Sequence, residues 1–368
     1  MVTLTQVYVA AESFDFHAYV GADRLVFPWR DHQVIAYLDE RQPGALVFDT
    51  NLRLDAGMED ITELARVINN WNRERLGPTV SMRVGDESQV SIHARSATLT
   101  GPGLTEQQLA DVVRMSMETS RLAVDHIIAE LPWLTTADLA DDDSFRKDQD
   151  TNALSGPLPR DRHIGVNELD DDAVRLRELD QRRSQDDEDV LADLGGDAEP
   201  DEEYASHMST HDDSTGGDWD EAARTGTPEP VTIDRVRATL EGLGIEKTQG
   251  GDDVIIAWIN DILFGFFLDN GPSYLVKGHW DPNLDPDADF LRMFLLCNDW
   301  NEASVTTKAF CHSDDDGLQI RVEFTAPVRE GLNDAQLEHN TAVAINQVLH
   351  AIDSISSDAT GQSAVGWP

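Results

Sequence analysis

The chain repeats itself at a nearly constant offset, and this limits its folds more than any other feature. Val2-Thr3, Val7, Trp29, Leu46-Val47, Asn69, Trp71 and Asn72 recur 229 residues later as Val231-Thr232, Val236, Trp258, Leu275-Val276, Asn298, Trp300 and Asn301. Gly103-Leu104 and Gln108-Leu109 recur at 228 as Gly331-Leu332 and Gln336-Leu337. A one-residue change of offset over roughly 125 residues is what two copies of one folded unit would show. A unit of that size lies near the commonest domain length and can bury its own core.

The stretch between the copies has a different composition. Residues 137–229 hold 29 of the 70 acidic residues and 9 of the 28 basic ones, with few apolar side chains. Such a segment cannot bury enough surface to offset the entropy of ordering it, so a self-repelling extended linker is expected. Within it Ile164, Val166, Leu169, Val174, Leu176 and Leu179 fall partly at helical spacing, as in a nascent helix or a short docking segment. The expected organisation is a first module at 1–136, an acidic disordered linker at 137–229, a second module at 230–356 and a flexible tail at 357–368.

The formal charge of -42 repels phosphate backbones and anionic lipid, which argues against nucleic acid and membranes as partners. The opening MVTLTQVYVAAESFDF has neither the basic stretch nor the apolar run of a secretory signal, and no run reaches membrane-span length. The two cysteines, Cys297 and Cys311, both fall in the second copy, so a disulfide framework is not expected and a reducing cytoplasm is the simplest location.

Each copy reads as the same series of elements. A helix at 4–14 or 233–243 follows the N-cap candidates Thr3 or Thr232. β-rich runs follow at Leu25–Phe27, Gln33–Asp39 and Ala45–Thr50, matched by Val254–Trp258, Leu263–Leu268 and Tyr274–Gly278. Asp269-Asn270-Gly271-Pro272 is a turn signal. Ile61, Leu64, Ala65 and Ile68 keep one helical face, as do Phe290, Met293, Phe294 and Cys297 after Asp285-Pro286. Two further strands precede a long helix capped by Thr105 or Asn333. The order α-β-β-β-α-β-β-α in each half predicts an α+β fold: two tandem modules with antiparallel sheets.

A Val-Thr-(Leu/Ile)-x-x-Val start, a β-run ending at Trp, a helix closing on Asn-x-Trp-Asn and a Gly-Leu-(Thr/Asn)-x-x-Gln-Leu start to the last helix resemble the YbjN family in both copies. The resemblance implies a fold like that of type III secretion chaperones. It also implies a peptide- or protein-binding module of the kind called a bacterial sensory transduction regulator.

Asn69, Trp71, Asn72 and their repeats Asn298, Trp300 and Asn301 are expected to cap a helix and anchor the core. Trp29 and Trp258, at a strand end, read first as buried rings, but together with Phe264 and Phe266, in a run too apolar for a half-solvated strand, they are the first candidates for partner surface. Asp281 to Asp289 superficially resemble a calcium loop, but Pro286 and Arg292 stand where the loop needs Gly and Glu; helix capping explains the acids better. Cys297, Cys311, His279 and His312 lack zinc spacing, and packing is the better reading for the cysteines. No nucleophile elbow or phosphate loop occurs, so no catalytic residue, metal or cofactor is expected.

The expected function is non-catalytic binding of a protein or peptide, by strand addition at a sheet edge or in a groove beside the long helix, with a module–module pseudo-dimer or homodimer as further possibilities. The alternatives are a regulator whose acidic tether docks basic partners, an enzyme, and a self-associating structural protein.

Overall fold

The computed structural model describes residues 2–41, 43–85, 89–136, 226–251, 253–268, 273–314 and 317–367. The linker at 137–225, its 164–179 stretch and the turn at 269–272 lie outside the described residues. The rest forms two compact units that correspond in the main to the two copies.

In the first unit Thr3 opens helix α1 (Leu4–Ser13) with a capping box closed by Gln6. Strands β1 (Tyr19–Val20), β2 (Arg24–Pro28), β3 (His32–Asp39), β4 (Ala45–Leu52) and β5 (Leu54–Gly57) lead to helix α2 (Ile61–Glu74). Strands β6 (Thr79–Val84) and β7 (Gln89–Leu99), helix α3 (Glu106–Glu130) and the short β8 (Thr135–Thr136) complete it. In the second unit α4 (Ile233–Gly242) precedes β9 (Val254–Ile259), β10 (Ile262–Leu268) and β11 (Ser273–Leu284), then α5 (Pro286–Ala303), β12 (Thr307–Asp314), β13 (Gly317–Pro327) and α6 (Asp334–Thr360). Both long helices open with a capping box, Thr105 with Gln108 and Asn333 with Gln336, while Asp285 caps α5 ahead of Pro286.

All pairings are antiparallel, as expected for an α+β fold. The second sheet runs β12-β13-β11-β10-β9; the first contains the same path as β6-β7-β4-β3-β2, extended by β1 and by β5 with β8. One face of each sheet packs on the long helix. In the first unit Leu46 and Phe48 join Val113 and Met117 in one apolar core, and buried Thr50 donates to Ser120 Oγ at 2.9 Å. In the second Tyr274 Oη meets Thr341 Oγ1 at 3.0 Å, and a Cβ on Gly278 would lie 2.3 Å from Val348. Position 278 therefore has room for glycine alone beneath α6.

Two expected boundaries move. Glu229 and Leu332 exchange two main-chain hydrogen bonds, so the second unit starts before residue 230. The segment expected as a flexible tail is helical at its start and packed beyond it. Helix α6 continues to Thr360 and ends on Gly361, whose φ of 79° is the left-handed conformation a helix stop needs. Beyond it Val365 is buried, Gly366 N–H donates to Asn260 O at 2.9 Å, and the Trp367 ring packs on His350. The apolar Val365 gives this segment something to bury.

Candidate functional site

Side chains alternate along a strand, so the face away from the helix carries the intervening positions. There each sheet holds a polar row across its central strands. In the first unit Asp49 on β4 faces Arg95 on β7; Arg95 Nε donates to Asp49 Oδ1 at 2.6 Å and Tyr37 Oη donates to Asp49 Oδ2 at 3.0 Å. Burial, then the Asp49 charge, pushes the Tyr37 phenol up to about 12. One step along, His93 Nδ1 pairs with Asn51 Oδ1 at 2.8 Å and His93 Nε2 with Ser91 Oγ at 2.9 Å. In the second unit Glu323 on β13 lies between Lys277 on β11 and Lys308 on β12, with Nζ–O distances of 3.2 and 3.0 Å. All three are buried, as are Arg321 and His312 nearby. Burial, aided by the charges of Arg321 and Lys277, depresses the His312 imidazole to about 3.

These rows occupy equivalent positions. Thr50 with Ser120 in the first unit corresponds to Gly278 with Val348 in the second, both at an offset of 228. Thr50 pairs with Ala94, and Gly278 with Val322. Asp49 therefore corresponds to Lys277 and Arg95 to Glu323: the cross-strand ion pair is kept and its polarity reversed.

The same register corrects two expectations. The β2–β3 hairpin closes on Trp29 and His32, and the β9–β10 hairpin on Ile259 and Ile262. Trp29 thus corresponds to Ile259, and the shared letter at Trp258 sits one residue out of step, on the opposite face. Trp29 is half-buried on the helix side, stacked on His32 at 4.8 Å between centroids. Trp258 is 47% exposed on the other face, beside half-buried Leu263. Phe264 and Phe266 are not partner surface: both are 0% exposed, on the helix side in the core. Their neighbour Phe267 lies on the outer face, and its ring covers Gly265, where a Cβ would come within 2.5 Å of it.

In the second unit the Asn-x-Trp-Asn motif lies inside the end of α5, which runs on to Ala303. Ser304 N–H closes α5 on Trp300 O. Three of the motif side chains reach the neighbouring strand or the residue just before it. Trp71 Nε1 donates to Pro78 O at 2.8 Å, and Trp300 Nε1 to Thr307 Oγ1 at 3.1 Å. Asn301 binds the outer edge of β12 with both ends of its amide: Nδ2 donates to Ala309 O at 2.9 Å and Oδ1 accepts from Ala309 N at 2.7 Å. At the far edge Gln249 exchanges two main-chain bonds with Ile256 of β9. Asn69, Asn72 and Asn298 are buried, in keeping with an anchoring role.

The YbjN family, described as "Putative bacterial sensory transduction regulator", matches residues 3–129 and 232–356, more than half of the chain. This chain belongs to the YbjN family. A similar solved structure is "Crystal structure of YbjN, a putative transcription regulator from E. coli", at 18% identity, with 37% of this chain and 98% of that chain covered and a TM-score of 0.31. No curated protein matches.

Of the remaining candidates in the two YbjN copies, Cys297 and Cys311 are buried, and the acids from Asp281 to Asp289 lie at the start of α5. Asp285 Oδ1 accepts from Asp287 N and Ala288 N, and Asp281 Oδ1 from Asn283 N, so these acids shape the start of α5. Among the described residues no three His, Cys, Asp or Glu side chains converge as metal ligands, and no helix is long and apolar enough to cross a membrane. The polar rows escaped sequence reading because they join residues 46 apart, as Asp49 and Arg95 are.

Proposed function

We propose that this YbjN protein is a non-catalytic cytoplasmic regulator that acts by binding another protein or a peptide on the outer face of its second sheet. The observation that carries this reading is Trp258, 47% exposed on that face with Leu263 and Phe267 half-buried around it. Exposed indole is large, rigid and amphipathic, and Trp dominates binding hot spots. Strand addition, the mode expected from sequence, fits less well: Asn301 and Gln249 already hold the outward backbone groups of Ala309 and Ile256. A helix in a groove beside α6 is also disfavoured, since Gly278 is in contact with Val348 and Ile352. The regulatory role named for the family is reached in this reading through protein contacts, because a charge of -42 repels DNA.

The test is photo-crosslinking from position 258 in the native cell, with Trp258→Ser as comparison. The expected result is a discrete crosslinked partner whose affinity falls about 30-fold or more in the variant, the loss of about 2 kcal/mol typical of a Trp hot spot. An unchanged melting curve in Trp258→Ser together with unchanged partner affinity refutes the assignment.

A further inference from the structure

Cys297 and Cys311 are the two cysteines of a 368-residue chain, and the fold brings them together. Helix α5 and strand β12 run antiparallel through a short loop, and Asn301 on the helix is bonded to Ala309 on the strand. Cys297 lies one helical turn back from Asn301, a rise of about 6 Å. Cys311 lies two residues on from Ala309, about 6.7 Å along the strand and on the same side. The two steps match in length and direction, so the thiols face each other. Both are buried, at 1% and 2% exposure, and the Cys297 thiol hydrogen-bonds Cys311. In the first unit the equivalent positions are Ile68 and Met82, at 0% and 2% exposure. Two buried apolar positions of the first module are thus both cysteines in the second.

We propose that Cys297 and Cys311 are a redox-active dithiol, an oxidation site that closes to a disulfide stapling α5 to the β12 edge of the second module. The oxidant class is a hydroperoxide, with hydrogen peroxide as the simplest member. One thiolate attacks a peroxide oxygen: an S–O bond forms, the O–O bond breaks, and the departing hydroxide takes a proton and leaves as water. The second thiolate then attacks the sulfenic sulfur: the S–S bond forms, the S–O bond breaks, and a second water leaves. Two thiols are oxidised and one peroxide is reduced. The Cys311 thiol and burial hold Cys297 protonated well above the ordinary thiol range, which makes the closure slow and leaves the pair reduced until oxidant persists. The staple reinforces the Asn301–Ala309 contact in one module and leaves the other without a counterpart.

The test uses the full chain treated with hydrogen peroxide, then denatured with alkylating agent present, digested without reductant and mapped by mass spectrometry. The expected product is an intramolecular 297–311 linked peptide that disappears with dithiothreitol, together with a higher urea midpoint for the oxidised protein. Cys297→Ala and Cys311→Ala each lose the linked peptide. Because the mapping is done on the wild-type protein, the answer does not depend on either variant folding. Two free thiols after prolonged oxidation, or only intermolecular and over-oxidised products, overturn the proposal.

Discussion

Replacing Asn301 by alanine removes both hydrogen bonds that hold the outer edge of β12 to the end of α5. Asn301 and Ala309 are 3% and 1% exposed, so the released N–H and C=O of Ala309 are left in a nearly dry site. An orphaned buried backbone group costs about 1–3 kcal/mol, which for the two groups puts the loss at about 2–6 kcal/mol, at the lower end if water enters at the edge. The readout is amide hydrogen exchange at Ala309 in the full chain, because local opening can be followed without assuming that two modules unfold as one. A loss of 2 kcal/mol speeds exchange there about 30-fold. Asn301→Asp sharpens the test. Its neutral carboxyl can donate to Ala309 O and accept from Ala309 N, whereas its carboxylate meets the carbonyl with no proton between them. The folded pKa of that aspartate is therefore raised above its unfolded value of about 3.9. Its stabilising contribution is complete below about pH 3.9 and is lost as pH rises through the raised value. Asn301→Ala and Asn301→Asp exchange rates within twofold of wild type at pH 7, or an Asn301→Asp protein with no recovery on acidification, would refute the amide clamp.

Three further outcomes are expected. Gly278→Ala forces a Cβ against Val348 and lowers the second module's stability by about 1–3 kcal/mol, read as a urea midpoint; an unchanged midpoint contradicts the packing under α6. His312 is held neutral in the fold, with its pKa depressed to about 3, so the unfolded chain binds the extra proton as pH falls below about 6.5. Wild type then loses stability on acidification between about pH 6 and 4 more steeply than His312→Gln, by up to about 1.4 kcal/mol per pH unit, and parallel curves would exclude this. Glu323→Arg alone leaves Lys277 and Lys308 facing a third cation and costs about 3–5 kcal/mol. The triple change Lys277→Asp, Lys308→Thr, Glu323→Arg rebuilds the Thr79–Arg95–Asp49 row and recovers most of that loss; additive costs would show that the row is not a unit.

What could be read from the residue string is what is decided locally. The caps Thr3, Thr105, Thr232, Asp285 and Asn333 bond within three residues of themselves, and the inner faces of α2 and α5 follow from helical period alone. The side of the sheet on which a residue lies was not legible at two kinds of place. In Ile262-Leu263-Phe264-Gly265-Phe266-Phe267 no polar residue marks the alternation, so Phe264 and Phe266 looked as available as Phe267. At Trp29 and Trp258 the shared letter hid a one-residue slip, and a slip of one exchanges the faces of a strand. The Asn-x-Trp-Asn role was hidden because Asn301 reaches across eight residues to a backbone group, which carries no side-chain signature.

The reversed ion pair shows what duplication constrained on the outer faces. A solvated polar face tolerates single charge changes, because exposed pairs contribute roughly 0–1 kcal/mol. Buried Lys277 and Glu323 do not belong to that regime: one charge left alone there costs several kcal/mol. Exchanging one pair for the other, in either direction, crosses a like-charged or half-empty intermediate unless a neutral pair intervenes. The row survived as an opposite-sign pair while the individual residue types did not, so mutual neutralisation across β11 and β13, and not the sign at either position, is the property retained. The adjoining position followed its own course: Thr79 in the first module is neutral, whereas Lys308 in the second adds a second cation to Glu323. The second sheet's buried outer row thus carries one more cation than the first within a strongly acidic chain, so the two YbjN copies differ in charge there while their helix-packed cores stay apolar.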